Sequence, residues 1–242
     1  MNLTIQIQEQ ILLLPEGKVF NYTDLDICRK KYLSAAKVLE RLQNKGFIKK
    51  LSNGMFYKPI LTAFGELQPD YEEQLRPFLF ENGKRIAYVT GTYLYNQLGL
   101  TTQLAIRIKI ASRSKRISIN RGALKADAVK SYAEVTESNY IVLGFLDALK
   151  DIRKIPDTTV QNSVKILSSK IAKMNKKEVT RLIKYALLYP PRVRALLGAI
   201  LENIGKSKDM TQPLLNSINP LTKISLGLKK TDLPTVENWN II

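Results

Sequence analysis

Asn53-Gly54 stands between two short β-prone runs, Phe47-Ile48-Lys49-Lys50-Leu51 and Met55-Phe56-Tyr57-Lys58. Asn-Gly in that setting is a strong signal for a two-residue hairpin, because both residues tolerate the positive φ that the turn demands. Helical patterns precede it. Leu3, Ile7, Ile11 and Leu14 recur at helical spacing until Pro15-Glu16-Gly17 stops them. Val19 and Phe20 are short, apolar and extended. Thr23-Asp24 reads as the cap of a short second helix containing Leu25, Ile27 and Cys28. Ser34 reads as the N-cap of a third, with Ala35, Val38, Leu39 and Leu42 as its apolar stripe and Gly46 closing it. Three helices and a hairpin within residues 1–65 are the plan of a winged helix-turn-helix, whose third helix enters a major groove.

On that third helix Ser34, Lys37, Arg41 and Lys45 lie away from the apolar stripe, with Lys30 and Lys31 just ahead of it. The hairpin adds Lys49, Lys50 and Asn53. Cations neutralise phosphates, while Ser, Asn and Arg can also reach base edges. These nine residues are the expected DNA contacts. A solvated helix face is the plain alternative, with Arg41 tying the helix to the wing.

The whole chain carries 38 Lys and Arg against 21 Asp and Glu, a net charge of +17 over 242 residues. Such an excess points to a polyanionic partner. It is unevenly placed: net +5 over residues 1–65, +3 over 66–160, +7 over 161–205 and +2 in the tail from 206. Histidine is absent, which removes a His general base, a Ser-His or Cys-His dyad and any imidazole metal site. Cys28 is the one cysteine, so neither an internal disulfide nor a multi-thiolate zinc site is possible. No catalytic group, metal or cofactor is therefore expected. No apolar run reaches the roughly 20 residues of a membrane span. Met1-Asn2-Leu3-Thr4 has no signal-peptide character, so a cytoplasmic protein is expected.

Beyond the wing, residues 66–205 read as an α+β domain. Pro69-Asp70-Tyr71 opens a helix running to Leu79, and Arg85-Ile86-Ala87-Tyr88 is strand-like. Residues 91–100 suit a short helix, whereas 105–110, 116–119 and 124–129 alternate with period two, as in a small, mostly antiparallel sheet. Helices are expected over 141–152, 160–174, 179–189 and 193–204, the last three forming a basic bundle. Their polar faces carry Lys165, Lys170, Lys173, Lys176, Lys177, Arg181, Lys184, Arg192 and Arg194, a second basic surface. The tail 206–242 is apolar enough to pack back onto the body.

Three patterns invite over-reading. Gly205-Lys206-Ser207 lacks the leading glycine of a phosphate loop, since position 200 is Ile. Asp24-Leu25-Asp26 reads as a helix cap rather than a metal pair. Asp147 and Asp151, one turn apart beside Lys150 and Arg153, read as a solvated face. Asn96 and Gln103 cannot act as bases, and their expected role is in amide hydrogen bonds that fix a turn, with contact to a ligand as the alternative.

Two stretches carry a resemblance. Asn53-Gly54-Met55-Phe56-Tyr57-Lys58-Pro59, followed by Phe64-Gly65, is similar to the wing and exit of AbiEi-like antitoxins. So is Thr90-Gly91-Thr92-Tyr93-Leu94-Tyr95-Asn96-Gln97-Leu98-Gly99-Leu100-Thr101-Thr102-Gln103. The family's usual proline after that glutamine is replaced by Leu104. The resemblance spans most of residues 1–205. It implies an antitoxin of a type IV toxin–antitoxin, or abortive-infection, pair. Its winged helix would repress its own promoter at inverted repeats in double-stranded DNA, and its C-terminal part would be needed for antitoxicity. The implied partner is a nucleotidyltransferase toxin, opposed without a stable complex. Two other readings stay open: a winged helix that docks protein, and a nucleotide-dependent enzyme, against which the missing His and the failed phosphate loop stand.

Overall fold

The computed structural model describes residues 3–63, 65–67, 69–121 and 124–242; Met1, Asn2 and Phe64, read above, lie outside them. The fold is α+β and helix-rich. The chain divides into two compact units, residues 1–83 and 84–242.

In the first unit, α1 (Leu3–Leu13) is followed by β1 (Val19–Asn21) and a 3₁₀ turn at Arg29–Lys31. Helix α2 (Tyr32–Asn44) and the hairpin β2 (Lys49–Ser52) and β3 (Met55–Tyr57) come next. The three strands form one sheet in the order β1-β3-β2, antiparallel throughout, with Ser52 opposite Met55 across the Asn53-Gly54 turn. Ile7, Ile11, Phe20, Leu25, Val38, Leu39, Leu42, Ile48 and Phe56 close the core beneath them. Burying such a face, rather than intrinsic propensity, is what holds short helices of this kind. Gly46 ends α2 in the left-handed conformation, at φ 72°. Its N–H and that of Phe47 donate to the carbonyls of Gln43 and Leu42 at 2.9 and 3.0 Å.

Two expectations fail here for local reasons. The short helix after Thr23 does not form. Asn21 Oδ1 accepts from both the N–H and the hydroxyl of Thr23, at 2.7 and 2.6 Å, and Asp24 Oδ2 accepts from Asn21 N–H at 2.8 Å. Side-chain bonds of this kind compete with helix. Gln10 and Gln6 of α1 then hold the backbone of Asp26, while Leu25 and Ile27 are buried. Ser34 is not a cap either: α2 already begins at Tyr32, and its N-cap, Lys31, makes no side-chain cap bond.

The unit also extends past residue 65. A second hairpin, β4 (Ile60–Thr62) and β5 (Gly65–Leu67), leads to α3 (Tyr71–Leu79), which Asp70 caps by accepting from Glu73 N–H at 2.8 Å. Glu73 fastens α3 to β1 through Lys18 Nζ at 2.9 Å and Val19 N–H at 3.3 Å. Strand β6 (Phe80–Glu81) falls at the end of this unit and β7 (Lys84–Arg85) at the start of the next.

In the second unit, β8 (Ala87–Thr90), α4 (Thr92–Gln97), β9 (Ile108–Ser112), β10 (Ile119–Arg121) and β11 (Leu124–Lys130) precede the helices. The sheet runs β10-β11-β9-β8 and is mostly antiparallel, as the sequence leads one to expect, with one parallel pair. Strand β11 inserts between β9 and β10 and lies parallel to β9, Ala126 pairing with Ile108 and Ala128 with Ile110. Helices α5 (Tyr140–Lys150), α6 (Val160–Ala172), α7 (Lys176–Ala186) and α8 (Pro191–Asn203) follow. Thr159 caps α6, Asn175 and Glu178 form a reciprocal capping box on α7, and Pro191 starts α8.

The tail adds α9 (Lys208–Asn216), a helix the periodicity did not suggest, and a 3₁₀ turn at Val236–Trp239. Leu214, Ile224, Leu226, Leu233, Val236 and Trp239 join the same core as Leu143, Leu146, Leu167, Leu196 and Ile200.

Candidate nucleic-acid interface

Helix α2 turns Ala35, Val38, Leu39 and Leu42 into the core of the first unit. That leaves Leu33, Ser34, Lys37, Glu40, Arg41, Asn44 and Lys45 exposed on its other side. At about 100° per residue, Leu33, Lys37, Glu40 and Asn44 stand most nearly opposite the buried stripe, with Ser34, Arg41 and Lys45 to one side. Arg29, Lys30 and Lys31 sit exposed in the 3₁₀ turn that leads into the helix. On the hairpin Lys50 and Asn53 are exposed. Three aromatic rings join wing and helix: Tyr22 lies 5.4 Å from Tyr32 and 6.1 Å edge-on to Phe56. Lys58 works elsewhere, donating to the carbonyls of Leu12 and Leu14 at the end of α1.

Of the nine residues expected at this surface, Lys30, Lys31, Ser34, Lys37, Arg41, Lys45, Lys50 and Asn53 are exposed. Lys49 differs. It is half-buried, and its ammonium pairs with Glu66 of the second hairpin at 3.0 Å. Burial and the Glu66 charge raise the neighbouring Tyr57 hydroxyl, against the pull of Lys49. The expected cation is therefore largely compensated, because β4–β5 brings an acid beside the wing. Arg29, Leu33 and Asn44 carry no signal in the sequence pattern that marks them as part of this face. A helix starting at Ser34 would leave Arg29 and Leu33 outside it, whereas α2 begins at Tyr32.

The second basic surface is partly assembled. Lys173, Lys177, Arg181, Lys184 and Arg192 are exposed, Lys170 is half-buried, and Lys165 and Lys176 extend the patch. Among the described residues none of these eight forms an ion pair with an acidic group. Arg181 Nη1 instead donates to the carbonyl of Ser138 at 3.0 Å. Lys184 Nζ stands 5.9 Å over the Tyr185 ring. Arg194 does not belong to the surface. Its Nη1 donates to Ser217 carbonyl at 2.7 Å and its Nε is buried, so it ties α8 to the end of α9.

Asp147 is the largest departure from the reading of a solvated face. It is 2% exposed. Oδ2 accepts from the hydroxyls of Tyr88 and Thr90, both at 2.9 Å, and Oδ1 from Lys150 Nζ at 2.9 Å and Tyr189 at 3.3 Å. Tyr95 donates to Asp151 Oδ2 at 2.8 Å. Burial first, and then the two carboxylates, push the hydroxyls of Tyr88, Tyr95 and Tyr189 far above the ordinary tyrosine range. Both oxygens of the Asp147 carboxylate are engaged, as in a structural hub, and Tyr189 also reaches the Leu143 carbonyl at 3.0 Å.

Asn96 and Gln103 frame the turn after α4. Asn96 Nδ2 donates to Thr101 carbonyl at 3.1 Å, and the backbone N–H of Gln103 donates to Thr101 Oγ1 at 3.1 Å. Asn96 fixes the turn with its amide, whereas Gln103 does so with its backbone and leaves its side chain exposed. Gly91 is required twice over: its φ is 73°, and a Cβ there would come 2.8 Å from Lys109 Cδ.

A family model described as a family of unknown function, DUF6088, matches residues 6–183. The chain belongs to DUF6088. No curated protein matches it. Among solved structures, the crystal structure of the RV2827C protein from Mycobacterium tuberculosis is similar, with a TM-score of 0.52 and 14% identity. The likeness covers 90% of this chain and 82% of that one. At that identity it speaks for the fold alone. The DUF6088 match runs from α1 of the first unit to Ile183 in α7 of the second, so it takes in most of both units. Among the described residues no helix is long and apolar enough to cross a membrane.

Proposed function

We propose that this protein is a DNA-binding autorepressor and antitoxin of a type IV toxin–antitoxin pair, acting in the cytoplasm against a nucleotidyltransferase toxin. The observation that carries the DNA half is the exposed side of α2 with Lys37 and Arg41, which in the chain lies between the exposed cationic turn Arg29–Lys31 and the exposed wing residues Lys50 and Asn53. Helix and wing together would line a groove of phosphates, the helix entering between the strands and the wing lying along one backbone. The antitoxin half rests on the resemblance in residues 53–65 and 90–103, with the basic helices of the second unit as the candidate module.

Retardation of a duplex from upstream of its own coding sequence, at low salt, tests the first half; an unshifted duplex rejects it. Co-expression of residues 84–242, one compact unit, with the neighbouring nucleotidyltransferase tests the second. Rescue of growth is expected from that unit. No rescue by either the unit or the full chain rejects antitoxicity.

A further inference from the structure

Leu33 is 85% exposed on the first turn of α2, and it faces almost directly away from the core. Around it are Lys30, Lys31, Ser34 and Lys37, all exposed. One turn beyond Lys37 stands Glu40, also exposed. A face built only to neutralise phosphates has no use for a leucine at its centre, and an acid there opposes such binding. Base edges are different. The major groove presents the thymine C5-methyl as an apolar group and the cytosine N4 amine as a donor, which an aliphatic side chain and a carboxylate respectively match. Residues at the N-terminal end of a recognition helix are the ones that reach these edges.

We propose that Leu33 is a specificity-determining residue that packs against a thymine methyl group in the major groove, which makes the protein a sequence reader rather than a general DNA binder. The cations on either side supply affinity and register, and Leu33 supplies discrimination. This inference rests on the DNA-binding reading above.

The test starts by selecting duplexes from a randomised pool with the full chain, wild type and Leu33→Ser. Because residue 33 is exposed, the variant is expected to melt at the wild-type temperature. Wild-type protein should enrich a motif with a fixed thymine. Replacing that thymine by uracil, which lacks only the methyl, should weaken binding about fourfold, the worth of one methyl group taken out of water. Leu33→Ser should lose both the preference and the sensitivity to uracil. If an enriched motif shows no uracil effect at any thymine, or the variant shows the same effect, Leu33 is not the contact and the DNA-binding reading survives. If no duplex is enriched by wild-type protein, sequence-specific reading fails altogether, and protein docking becomes the explanation of the exposed leucine.

Discussion

Trp239 occupies the space a side chain on Gly198 would need: a Cβ at 198 would overlap ring atoms Cζ3 and Cη2. Glycine in the middle of α8 thus lets the tail seat its tryptophan flat on the helix, where the indole N–H donates to Glu202 at 2.6 Å. Helix α8 gives up some intrinsic propensity for this. In return the tail gains a large buried aromatic.

Substitution should expose the coupling. Gly198→Ala is expected to cost about 1–3 kcal/mol by overpacking, and Trp239→Ala about 3–5 kcal/mol by leaving a cavity. The double variant should cost clearly less than the sum, since the alanine methyl then has room. Urea unfolding monitored by circular dichroism gives all three values.

A second prediction concerns Asp147. Truncating one partner of a buried, hydrogen-bonded charge pair leaves Lys150 only its longer contact with Asp151 at 4.0 Å and strips the Tyr88 and Thr90 hydroxyls of their acceptor, so Asp147→Ala should destabilise the chain by about 3–5 kcal/mol. An exposed carboxylate, as the sequence alone suggested, would change thermal stability by less than about 0.5 kcal/mol. The melting temperature separates the two.

High pH should single out three tyrosines. Tyr88, Tyr95 and Tyr189 have folded-state values raised above the unfolded value of about 10. The stability linked to them is present in full below that value and is lost as pH rises beyond it, because the unfolded chain releases protons the folded chain retains. Absorbance titration at 295 nm should therefore show these three ionising together with unfolding. Tyr189→Phe should remove one tyrosine from that step. Three smooth, independent titrations near pH 10 would contradict the buried network.

Much of this fold is legible in the sequence because its signals are local. Asn53-Gly54 sets the wing, Gly46 ends α2 and Asp70 caps α3. Most of what escaped depends on distant partners. The turn at 21–28 starts from local bonds among Asn21, Thr23 and Asp24, but Gln6 and Gln10 of α1, which no window around Thr23 contains, hold its far end. Lys49 meets Glu66 only because β4–β5 folds back beside the wing. Asp147 did leave a trace: it lies one turn after Leu143, on the apolar stripe of α5, and an acid in that position signals a buried partner. Arg194 gave none.

The Lys49–Glu66 pair yields a prediction at the proposed interface. Glu66→Gln frees the lysine and removes a negative charge from beside the wing. DNA affinity at low salt should rise, and the salt dependence should steepen by up to about 0.9, one further phosphate contact. Unchanged binding would place Lys49 outside the interface.

The most direct test of DNA binding by α2 and the wing is the slope of log affinity against log salt, read by fluorescence anisotropy on a duplex from the protein's own upstream region. For wild type a linear fall is predicted, about 0.9 per phosphate contact. Lys37→Glu combined with Lys50→Glu should flatten the slope by about 2 while leaving the melting temperature unchanged. A doubly reversed protein that binds with the wild-type slope would contradict the account.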